Sequence, residues 1–245
     1  MSSNILIEAT RSLSSELQKM DFGAAAAFVY NPLEYAREIH ETYLARHACG
    51  RKRVVFLGMN PGPYGMAQTG IPFGEVSAVR SFLHIEGPVG KPAREHPHKP
   101  VEGFSCKRSE VSGRRLWGFF EKHFGNAESF FREHYVHNYC PLLFIENTRL
   151  GRNLTPEQLS LDRQAEINKL CDAFLRLLLA ELHTELVVGV GGFAWKRAQE
   201  ALAGRPVRIC RVLHPSPANP AANRGWEEAA LESLKQAGAW LKTAQ

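Results

Sequence analysis

The sequence predicts an α/β fold: one domain with a four-stranded, largely parallel central sheet and helices on both faces. Three observations lead to this prediction. Four short, largely apolar runs are spaced along the chain, helical segments alternate with them, and two of the runs are apolar on every residue. Strands that alternate with helices form parallel sheets, and continuous apolar runs are typical of strands buried on both faces. We expect residues 1–245 to form a single domain, with N-terminal helices in residues 1–50 packed on it.

The elements are predicted in chain order from their periodicity. A first helix is expected to bury Ile5, Ala9, Leu13, Leu17 and Met20, which recur at helical spacing. Further helices are predicted at residues 32–47, 111–123, 155–183, 193–202 and 225–241. Strands are predicted at residues 54–57, 135–138, 186–190 and 207–213. Ser109 or Ser112 is expected to cap the helix that begins at residue 111. Residues 58–74 are expected to form a long structured loop, and residues 85–105 an exposed loop.

Composition excludes several classes of protein. The chain is 44% hydrophobic and 22% charged, which is ordinary for a globular protein. No stretch approaches the roughly 18 apolar residues of a membrane span. The N-terminus lacks a basic region followed by an apolar run, so no secretion signal is expected and an intracellular protein is predicted.

Cysteine and histidine spacing gives no sign of a metal site. The count of five cysteines is odd and no C-x-x-C occurs, so we expect buried thiols rather than disulfides or zinc ligands. His84, His96 and His98 lack a regular ligand spacing, and a solvated loop is the simpler interpretation.

The basic residues cluster, and the net charge is +5 with a sequence pI of about 9.0. A basic excess suits a polyanionic partner without proving one. One cluster alone is most simply a solvated surface, whereas several around one site would mark an electrostatic footprint. The clusters are residues 51–53, 91–99, Lys107 and Arg108 with Arg114 and Arg115, and Arg205, Arg208 and Arg211.

Polar side chains stand where the predicted strands end. Asn60 follows the first strand, Asn138 ends the second, and His214 follows the fourth. Taken alone, each residue could have a purely structural role. Asn60 could form a turn, Asn138 could cap an element or be a hydrogen-bonded core amide, and His214 could be a hydrogen-bonded residue at the end of a strand. Ligands of open α/β sheets bind beyond the carboxyl ends of the strands. We therefore expect these three side chains to share one cleft.

The glycines after the third strand allow a second interpretation. Residues 189–192, GVGG, resemble a dinucleotide-binding turn but lack the full G-x-G-x-x-G pattern and the acidic residue about 20 positions on. Arg211 could suit a 2′-phosphate, which leaves a nucleotide-cofactor enzyme open. A tight strand-to-helix turn is the simpler interpretation.

Two segments together carry a family resemblance. GMNPGPYGMAQTGIPFG, residues 58–74, with HPSPANP, residues 214–220, resembles the single-strand-selective monofunctional uracil-DNA glycosylase family of the uracil-DNA glycosylase superfamily. EVSGRRLWGFF, VHNYCPLLF, GRNLTPEQL and NRGWE follow the family in the same order. The resemblance extends from about Arg53 to Glu227 and implies the same single α/β domain.

The resemblance implies hydrolysis of the N-glycosidic bond of uracil or a related base in DNA, without cofactor or metal. His214 would donate to the pyrimidine O2 and stabilise the leaving anion, and Asn60 would hold the attacking water. Other superfamily branches place an aspartate near Asn60, so its absence here predicts a modest catalyst. No lysine nucleophile is implied, which fits an enzyme without a lyase step.

The remaining pocket residues are also implied by the resemblance. Asn138 would pair with O4 and N3–H of uracil, and Phe73 would stack on the extruded base. Gly62, where some relatives have tyrosine, would leave room at the 5-position. Gly58 and Met59 would offer backbone groups, and Met66 lies in the same loop.

A wedge that fills the gap left by the flipped base is implied at residues 215–224. Vertebrate members carry arginine where this chain has Ala218, so grip on a duplex must come from elsewhere, with Asn219, Asn223 or Arg224 as candidates. The expected wedge residues are Pro215, Ser216, Pro217, Ala218, Asn219, Asn223 and Arg224.

Two further hypotheses from other classes stay open beside the glycosylase. One is a non-catalytic protein that binds single strands or abasic sites on the same scaffold, and the other is the nucleotide-cofactor enzyme. The glycosylase hypothesis predicts a monomer that binds DNA and no membrane, at the nucleoid of a bacterium or in the nucleus of a eukaryote. 5-Hydroxymethyluracil, xanthine and hypoxanthine are further candidate bases, in single or double strands.

Overall fold

The computed structural model describes residues 2–240 of the chain. Within them the strands β1–β7 are Phe28–Tyr30, Val54–Gly58, His134–Asn138, Leu143–Ile145, Asn153–Leu154, Leu186–Val190 and Arg208–Val212. The α-helices α1–α10 are Ser2–Gln18, Pro32–Tyr35, Arg37–His47, Met66–Thr69, Val76–Ser81, Val111–Phe124, Ala127–Phe131, Leu161–Glu181, Gly192–Ala201 and Trp226–Gln236. Short 3₁₀ turns lie at Ala24–Ala26, Gly103–Ser105, Pro156–Gln158 and Ala222–Arg224.

The predicted four-stranded sheet is confirmed. Its order is β3-β2-β6-β7, and every neighbouring pair is parallel. All residues of β2, β3 and β6 are buried, which is expected for the apolar β2 and β6 but also holds for β3 with its two histidines and Asn138. The edge strand β7 is partly exposed. The register pairs Gly58 with Asn138 and Val190 with Val212, so the strands end together at one carboxyl edge.

A second, antiparallel sheet was not predicted. It joins β1, β4 and β5, with Val29 opposite Phe144 and Ile145 opposite Asn153. These strands have three residues or fewer, too short to show an alternating pattern. The sheet fixes the segment that follows β3, and that segment contacts the site described below.

The N-terminal helix forms, but its predicted buried face is partly wrong. Leu13 and Leu17 are buried, whereas Ile5 is 46% exposed. The face that packs against α3 and α8 also includes Leu6 and the polar Thr10 and Ser14. Polar residues form part of this buried face, so the spacing of the apolar residues alone predicts a face that is rotated by about one residue from the observed one.

Other helix boundaries differ from prediction for local reasons. The helix expected over 32–47 breaks at Ala36, which lies outside helical geometry with φ −116° and ψ 29°. The helix expected over 155–183 is a 3₁₀ turn followed by α8. The last helix ends at Gln236, before Gly238 with φ 63°, and its predicted end at 241 lies outside the described residues. Glu110, not Ser109 or Ser112, is the residue before α6, and its side chain forms no cap bond.

The segment 85–105 was predicted to be exposed and is instead partly built into the core. Ile85, Val101 and Phe104 are buried. The Gln68 side chain accepts hydrogen bonds from the backbone nitrogens of residues 102 and 103 at 2.7 and 3.1 Å, which holds the segment down. His96 is also buried rather than solvated, with its Nε2 2.9 Å from the Thr148 carbonyl oxygen.

The buried-thiol prediction is confirmed for only some cysteines. Cys106, Cys140 and Cys171 are buried, whereas Cys49 is exposed and Cys210 is intermediate, and all five are free thiols. In the described part of the chain no group of three or more His, Cys, Asp or Glu side chains could hold a metal ion. Residues 2–240 also include no helix with the length and hydropathy needed to cross a membrane.

Candidate active site

The carboxyl edge of the sheet opens into a cavity of about 380 Å³. Its walls come from the loop after β2, the end of β3, the start of α6 and the loop after β7. Asn60, Phe73, Asn138 and His214 all line it, so the structure brings together the side chains expected to share one cleft. Parallel strands that end in register explain the convergence, since each delivers the residue that follows it to the same edge.

Asn60 is held by the segment that leads from β3 into β4. Its Nδ2 donates to the carbonyl oxygen of Leu142 at 3.1 Å. Since this bond uses the amide nitrogen, the Oδ1 atom is left as an acceptor beside the cavity. The second sheet, which sequence analysis missed, therefore sets the orientation of a candidate catalytic side chain.

Asn138 is 3% exposed and incompletely hydrogen-bonded. Its Nδ2 lies 3.3 Å from the Met66 sulfur, a weak acceptor, and its Oδ1 has no hydrogen-bond partner among the described residues. A buried polar atom without a partner costs free energy and calls for an explanation such as a missing ligand. The amide therefore offers both a donor and an acceptor to whatever enters the cavity.

Gly58 packs against two side chains that line the cavity, Asn138 and Phe73, but does not line the cavity itself. An ideal Cβ at this position would lie 2.3 Å from Asn138 Oδ1 and 2.4 Å from the Phe73 ring. Its carbonyl oxygen accepts from the Tyr139 backbone nitrogen, and that of Met59 accepts from Cys140. Gly58 and Met66 thus contact the lining residues without lining the cavity, while Met59 and Gly62 do line it.

Phe73 presents its ring from a strained backbone. Its φ is 54°, in the left-handed region that costs a non-glycine residue about 1–3 kcal/mol. The surroundings hold it there: Gly113 of α6 packs so closely that a Cβ would lie 2.1 Å from the Phe73 carbonyl oxygen, and the Trp117 indole donates to Pro72 at 3.3 Å. The ring, 7% exposed, lies 6.1 Å from the His214 ring between centroids.

His214 is neutral and has a defined tautomer. Burial lowers its pKa to about 4. Its Nδ1 accepts a hydrogen bond from the Ser216 backbone nitrogen at 3.2 Å, so the proton of the neutral ring is on Nε2. Gly191 packs against it, since a Cβ there would lie 3.0 Å from the His214 Cβ.

The proline-rich loop after His214 is braced by its own side chains. Ser216 and Pro217 line the cavity, Pro215 is buried, and Pro217 and Ala218 form an exposed tip. Asn219 donates to the His214 carbonyl oxygen at 3.4 Å and accepts from the Ala221 nitrogen at 3.1 Å. Asn223 donates to Pro217 at 2.7 Å and accepts from Arg115 at 3.0 Å.

Sequence analysis missed several lining residues. Among them are Tyr64 and Glu110, whose Oε2 accepts from the Tyr64 backbone nitrogen at 3.2 Å. Ser109, Ser112 and Asn153 also line the cavity. Glu110 lies in the motif EVSG, for which the sequence alone predicts no role. The only signal for it was a polar residue directly before a helix at the carboxyl edge.

The glycines of residues 189–192 allow close packing of the turn between β6 and α9 and do not line the cavity. Gly191, with φ 95°, precedes α9, and a Cβ on Gly189 would lie 2.5 Å from the Trp195 backbone. None of these glycines lines the cavity. The tight strand-to-helix turn is therefore the interpretation that the geometry favours.

The basic clusters do not all surround the cavity. Lys52 is buried and donates to the Phe131 carbonyl oxygen, contrary to a solvated surface, and its cluster precedes β2 at the opposite edge of the sheet. Near the cavity, Lys99 and Arg108 both donate to the Tyr64 hydroxyl oxygen, the former at 3.0 Å. Both also lie over the Tyr64 ring, at 5.0 and 4.9 Å from its centroid.

Known proteins are similar to this chain in sequence. Residues 46–235 match the uracil DNA glycosylase superfamily. The chain is 50% identical over 228 residues to the single-strand selective monofunctional uracil DNA glycosylase of Bos taurus, covering 92% of this chain and 83% of that protein. It is 49% identical to the Mus musculus protein of the same name, covering 92% of this chain and 81% of that protein.

A solved structure shows the same fold at lower identity. The crystal structure of Pedobacter heparinus SMUG2 superposes with a TM-score of 0.65 and 19% sequence identity, covering 95% of this chain and 99% of that one. The fold, the converging side chains and the identity over most of both chains agree. The chain belongs to the single-strand selective monofunctional uracil DNA glycosylase family, within the uracil DNA glycosylase superfamily.

Proposed function

We propose that this chain is a monofunctional DNA glycosylase that hydrolyses the bond between uracil and deoxyribose in DNA and leaves an abasic site. The observation that carries the proposal is the convergence of Asn60, Phe73, Asn138 and His214 on one cavity in a member of this family. Cleavage of the C1′–N1 bond leaves the electron pair on the base and positive charge on the sugar. Water then bonds to C1′ and gives up a proton, and the uracil anion gains one.

His214 stabilises the departing base. Its Nε2–H is a preorganised donor for the O2 atom, on which negative charge develops as the bond breaks. The low pKa of about 4 means that the ring donates without becoming a general acid. The Ser216 backbone bond fixes this tautomer before substrate binds, so no reorganisation is needed during the reaction.

Asn60 positions the water. An amide is a poor base, so its role is orientation through the Oδ1 atom that its bond to Leu142 leaves available. No lysine lines the cavity within the described residues, in keeping with hydrolysis and no lyase step.

Asn138 and Phe73 recognise the base. The unpartnered Asn138 Oδ1 accepts uracil N3–H, and its Nδ2 exchanges the weak Met66 contact for the O4 carbonyl. Cytosine presents an amino group and an unprotonated N3 on this edge, which reverses the pattern. The buried Phe73 ring gives the extruded base a surface on which to stack.

The wedge of this chain depends on shape and on one cation. Ala218 at the tip is small, and the polar groups of Asn219 and Asn223 are used inside the loop. Arg224 is exposed and is the remaining candidate of the expected wedge residues to contact DNA through a charge. A wedge of this kind favours single-stranded DNA, because no complementary strand must be held apart from the strand that carries the base. The proposed enzyme acts as a monomer, in the compartment that contains the DNA.

Uracil release is tested with a labelled single-stranded oligonucleotide that contains one uracil. Alkali-labile cleavage is expected with the wild-type chain, and Asn60→Ala is expected to lower the single-turnover rate by at least about tenfold, since water loses its positioning group. Asn147→Ala, an exposed asparagine away from the cavity, is the matched control. Strong binding to the strand without base release would favour the non-catalytic alternative, and parallel substrates with 5-hydroxymethyluracil, xanthine and hypoxanthine rank the bases.

Lys99 and Arg108 are expected to bind a phosphate of the substrate strand. Both cations donate to the Tyr64 hydroxyl oxygen, and neither forms an ion pair with a carboxylate among the described residues. A phosphate would supply the negative charge that this pair lacks and would accept charge-assisted hydrogen bonds from both side chains. The double variant Lys99→Ala/Arg108→Ala should bind single-stranded DNA more weakly and reduce the slope of log Kd against log salt by about 0.7, the contribution of one phosphate contact on a single strand. The control Arg132→Ala/Lys235→Ala removes exposed cations elsewhere, and an equal effect from both variants would count against a specific contact.

A further inference from the structure

Arg115 is a basic residue of α6 that the proposed mechanism does not use. Its side chain is half-buried and does not line the cavity. Among the described residues it forms no ion pair with a carboxylate, and its hydrogen bonds go to neutral oxygens of the loop after β7. Withdrawing a charged group from water costs free energy unless hydrogen bonds compensate for it. What these bonds hold in place is therefore of interest.

The hydrogen bonds of Arg115 tie together the two ends of the proline-rich loop. Its Nη1 donates to the Pro215 carbonyl oxygen and its Nη2 donates to Asn223 Oδ1, each at 3.0 Å. Asn223 Nδ2 in turn donates to the Pro217 carbonyl oxygen at 2.7 Å. A guanidinium group presents its donors in a rigid planar fork, so Arg115 fixes both ends of the loop relative to α6.

The Pro215 carbonyl group belongs to the same peptide unit as the nitrogen that contacts the His214 ring. This unit joins Pro215 to Ser216, and its N–H donates to His214 Nδ1 at 3.2 Å. A peptide unit is planar, so a carbonyl oxygen held by Arg115 also fixes the direction of the N–H. The contacts thus run from the Arg115 guanidinium through one rigid plane to the imidazole ring.

The contact with Arg115 both restrains and polarises this peptide unit. Proline has a fixed φ, so the unit turns only through ψ of Pro215 and φ of Ser216, and the bond from Arg115 opposes that rotation. A cation at the carbonyl oxygen also polarises the amide and strengthens its N–H as a donor. Without Arg115, the Nε2–H tautomer of His214 would lose part of what selects it.

Arg115 therefore has a route to the reaction although it lies outside the cavity. Resting on the proposed function, we infer that Arg115 is a positioning residue for base release, which acts through this peptide unit to hold the His214 ring with its Nε2–H directed at the departing base. A direct contact of Arg115 with a DNA phosphate is the competing role. The two roles differ because a phosphate contact would act without His214, whereas positioning depends on it.

The first test is a double-mutant cycle that measures the single-turnover rate of uracil release at saturating enzyme. Arg115→Met keeps an apolar stem and removes the donors, so it should lower the rate about tenfold in the wild-type chain. In a chain that carries His214→Ala, the same change should alter the rate less than about twofold, because the ring that Arg115 positions is gone. Arg114→Met removes the neighbouring exposed cation of α6 and is the matched control, expected within about twofold in both chains.

The second test needs no substrate. In protein with isotopically labelled histidine, the ring-nitrogen NMR signals of His214 are assigned by their loss in His214→Ala. These signals should shift in Arg115→Met and stay in place in Arg114→Met, since only Arg115 contacts the peptide unit that donates to Nδ1.

The two tests separate positioning from other roles of Arg115. A rate loss of equal size with and without His214 would mean that Arg115 contacts DNA or supports the fold independently, and it would overturn the inference. An unchanged rate in Arg115→Met, or unmoved ring signals, would overturn it as well. Should Arg115→Met not fold, Arg115→Lys, which can reach only one of the two acceptors, must show the same dependence on His214. A wild-type chain that releases no uracil, but whose ring signals shift in Arg115→Met, would be a failure of the proposed function alone.

Discussion

Replacing His214 with alanine is expected to lower the single-turnover rate of uracil release by about 10²–10³-fold, the usual effect of removing one preorganised donor to a developing anion. In the proposed mechanism that donor is the neutral His214 ring with its proton on Nε2. Because burial lowers the pKa to about 4, the rate should also be insensitive to His214 ionisation between about pH 6 and pH 8. The measurement is alkali-labile cleavage under excess enzyme, with thermal unfolding recorded for each variant.

The matched control is His98→Ala, which removes an exposed histidine ring outside the cavity. It should leave the rate within about twofold of wild type, since no reacting group contacts it. A folded His214→Ala protein that keeps more than a tenth of the wild-type rate would rule out this role. Glu110, with a pKa raised to about 7, lines the same cavity and titrates in this range. An inflection in the rate near pH 6.5 that persists in Glu110→Gln would therefore show that the histidine titrates as an ordinary exposed ring.

The second large expected effect is a loss of folding stability at acidic pH. Burial is the main cause that lowers the pKa to about 4 for His40, His47, His134 and His214 and to about 3 for His137. In the unfolded chain a histidine has a pKa of about 6.5. Each group therefore stabilises the folded state above that value and loses its contribution as the pH falls towards about 4.

The expected loss is about 1 kcal/mol per histidine between pH 6 and pH 5, or about 5 kcal/mol for all five. A typical domain has a net stability of about 5–15 kcal/mol, so the protein should approach unfolding in mild acid. Urea unfolding at pH 7.5, 6 and 5 measures this. A free energy of unfolding that is equal at pH 7.5 and pH 5 would contradict the prediction.

His47→Phe separates the histidine contribution from that of the carboxylates. The His47 ring stacks on Phe131 at 3.8 Å between centroids, and its Nε2 has no described partner. Phenylalanine keeps the stack and cannot bind a proton, so the loss between pH 6 and pH 5 should shrink by about 1 kcal/mol. An unchanged pH dependence would show that His47 does not take part.

Much of the fold could be predicted because its central strands are strongly patterned. Runs such as residues 54–57 and 186–190 are apolar on every residue, and the glycine and proline around them mark where they end. The short strands of the second sheet and helices α4, α5 and α7 could not be predicted. They have six residues or fewer and are held by tertiary contacts rather than by their own propensity.

For the site, the sequence indicated which side chains meet but not how they are held. Asn60, Asn138 and His214 follow strands, so topology alone brings them together. The bond from Asn60 to Leu142 and the approach of Gly113 to Phe73 join residues 82 and 40 positions apart, and no local pattern encodes such pairs. Glu110 was missed because its carboxyl group lies against Gly62, a contact between residues far apart in the chain that appears only in three dimensions.

The positive φ of Phe73 limits how this protein could be made more robust. A search for stabilising substitutions that ranks positions by backbone strain would select residue 73 early, because glycine there would relieve roughly 1 kcal/mol or more. The same change would delete the ring on which we propose that the base stacks. The residue that carries the backbone strain is thus also the one proposed to bind the base, so heat tolerance should be sought at positions away from the carboxyl edge of the sheet.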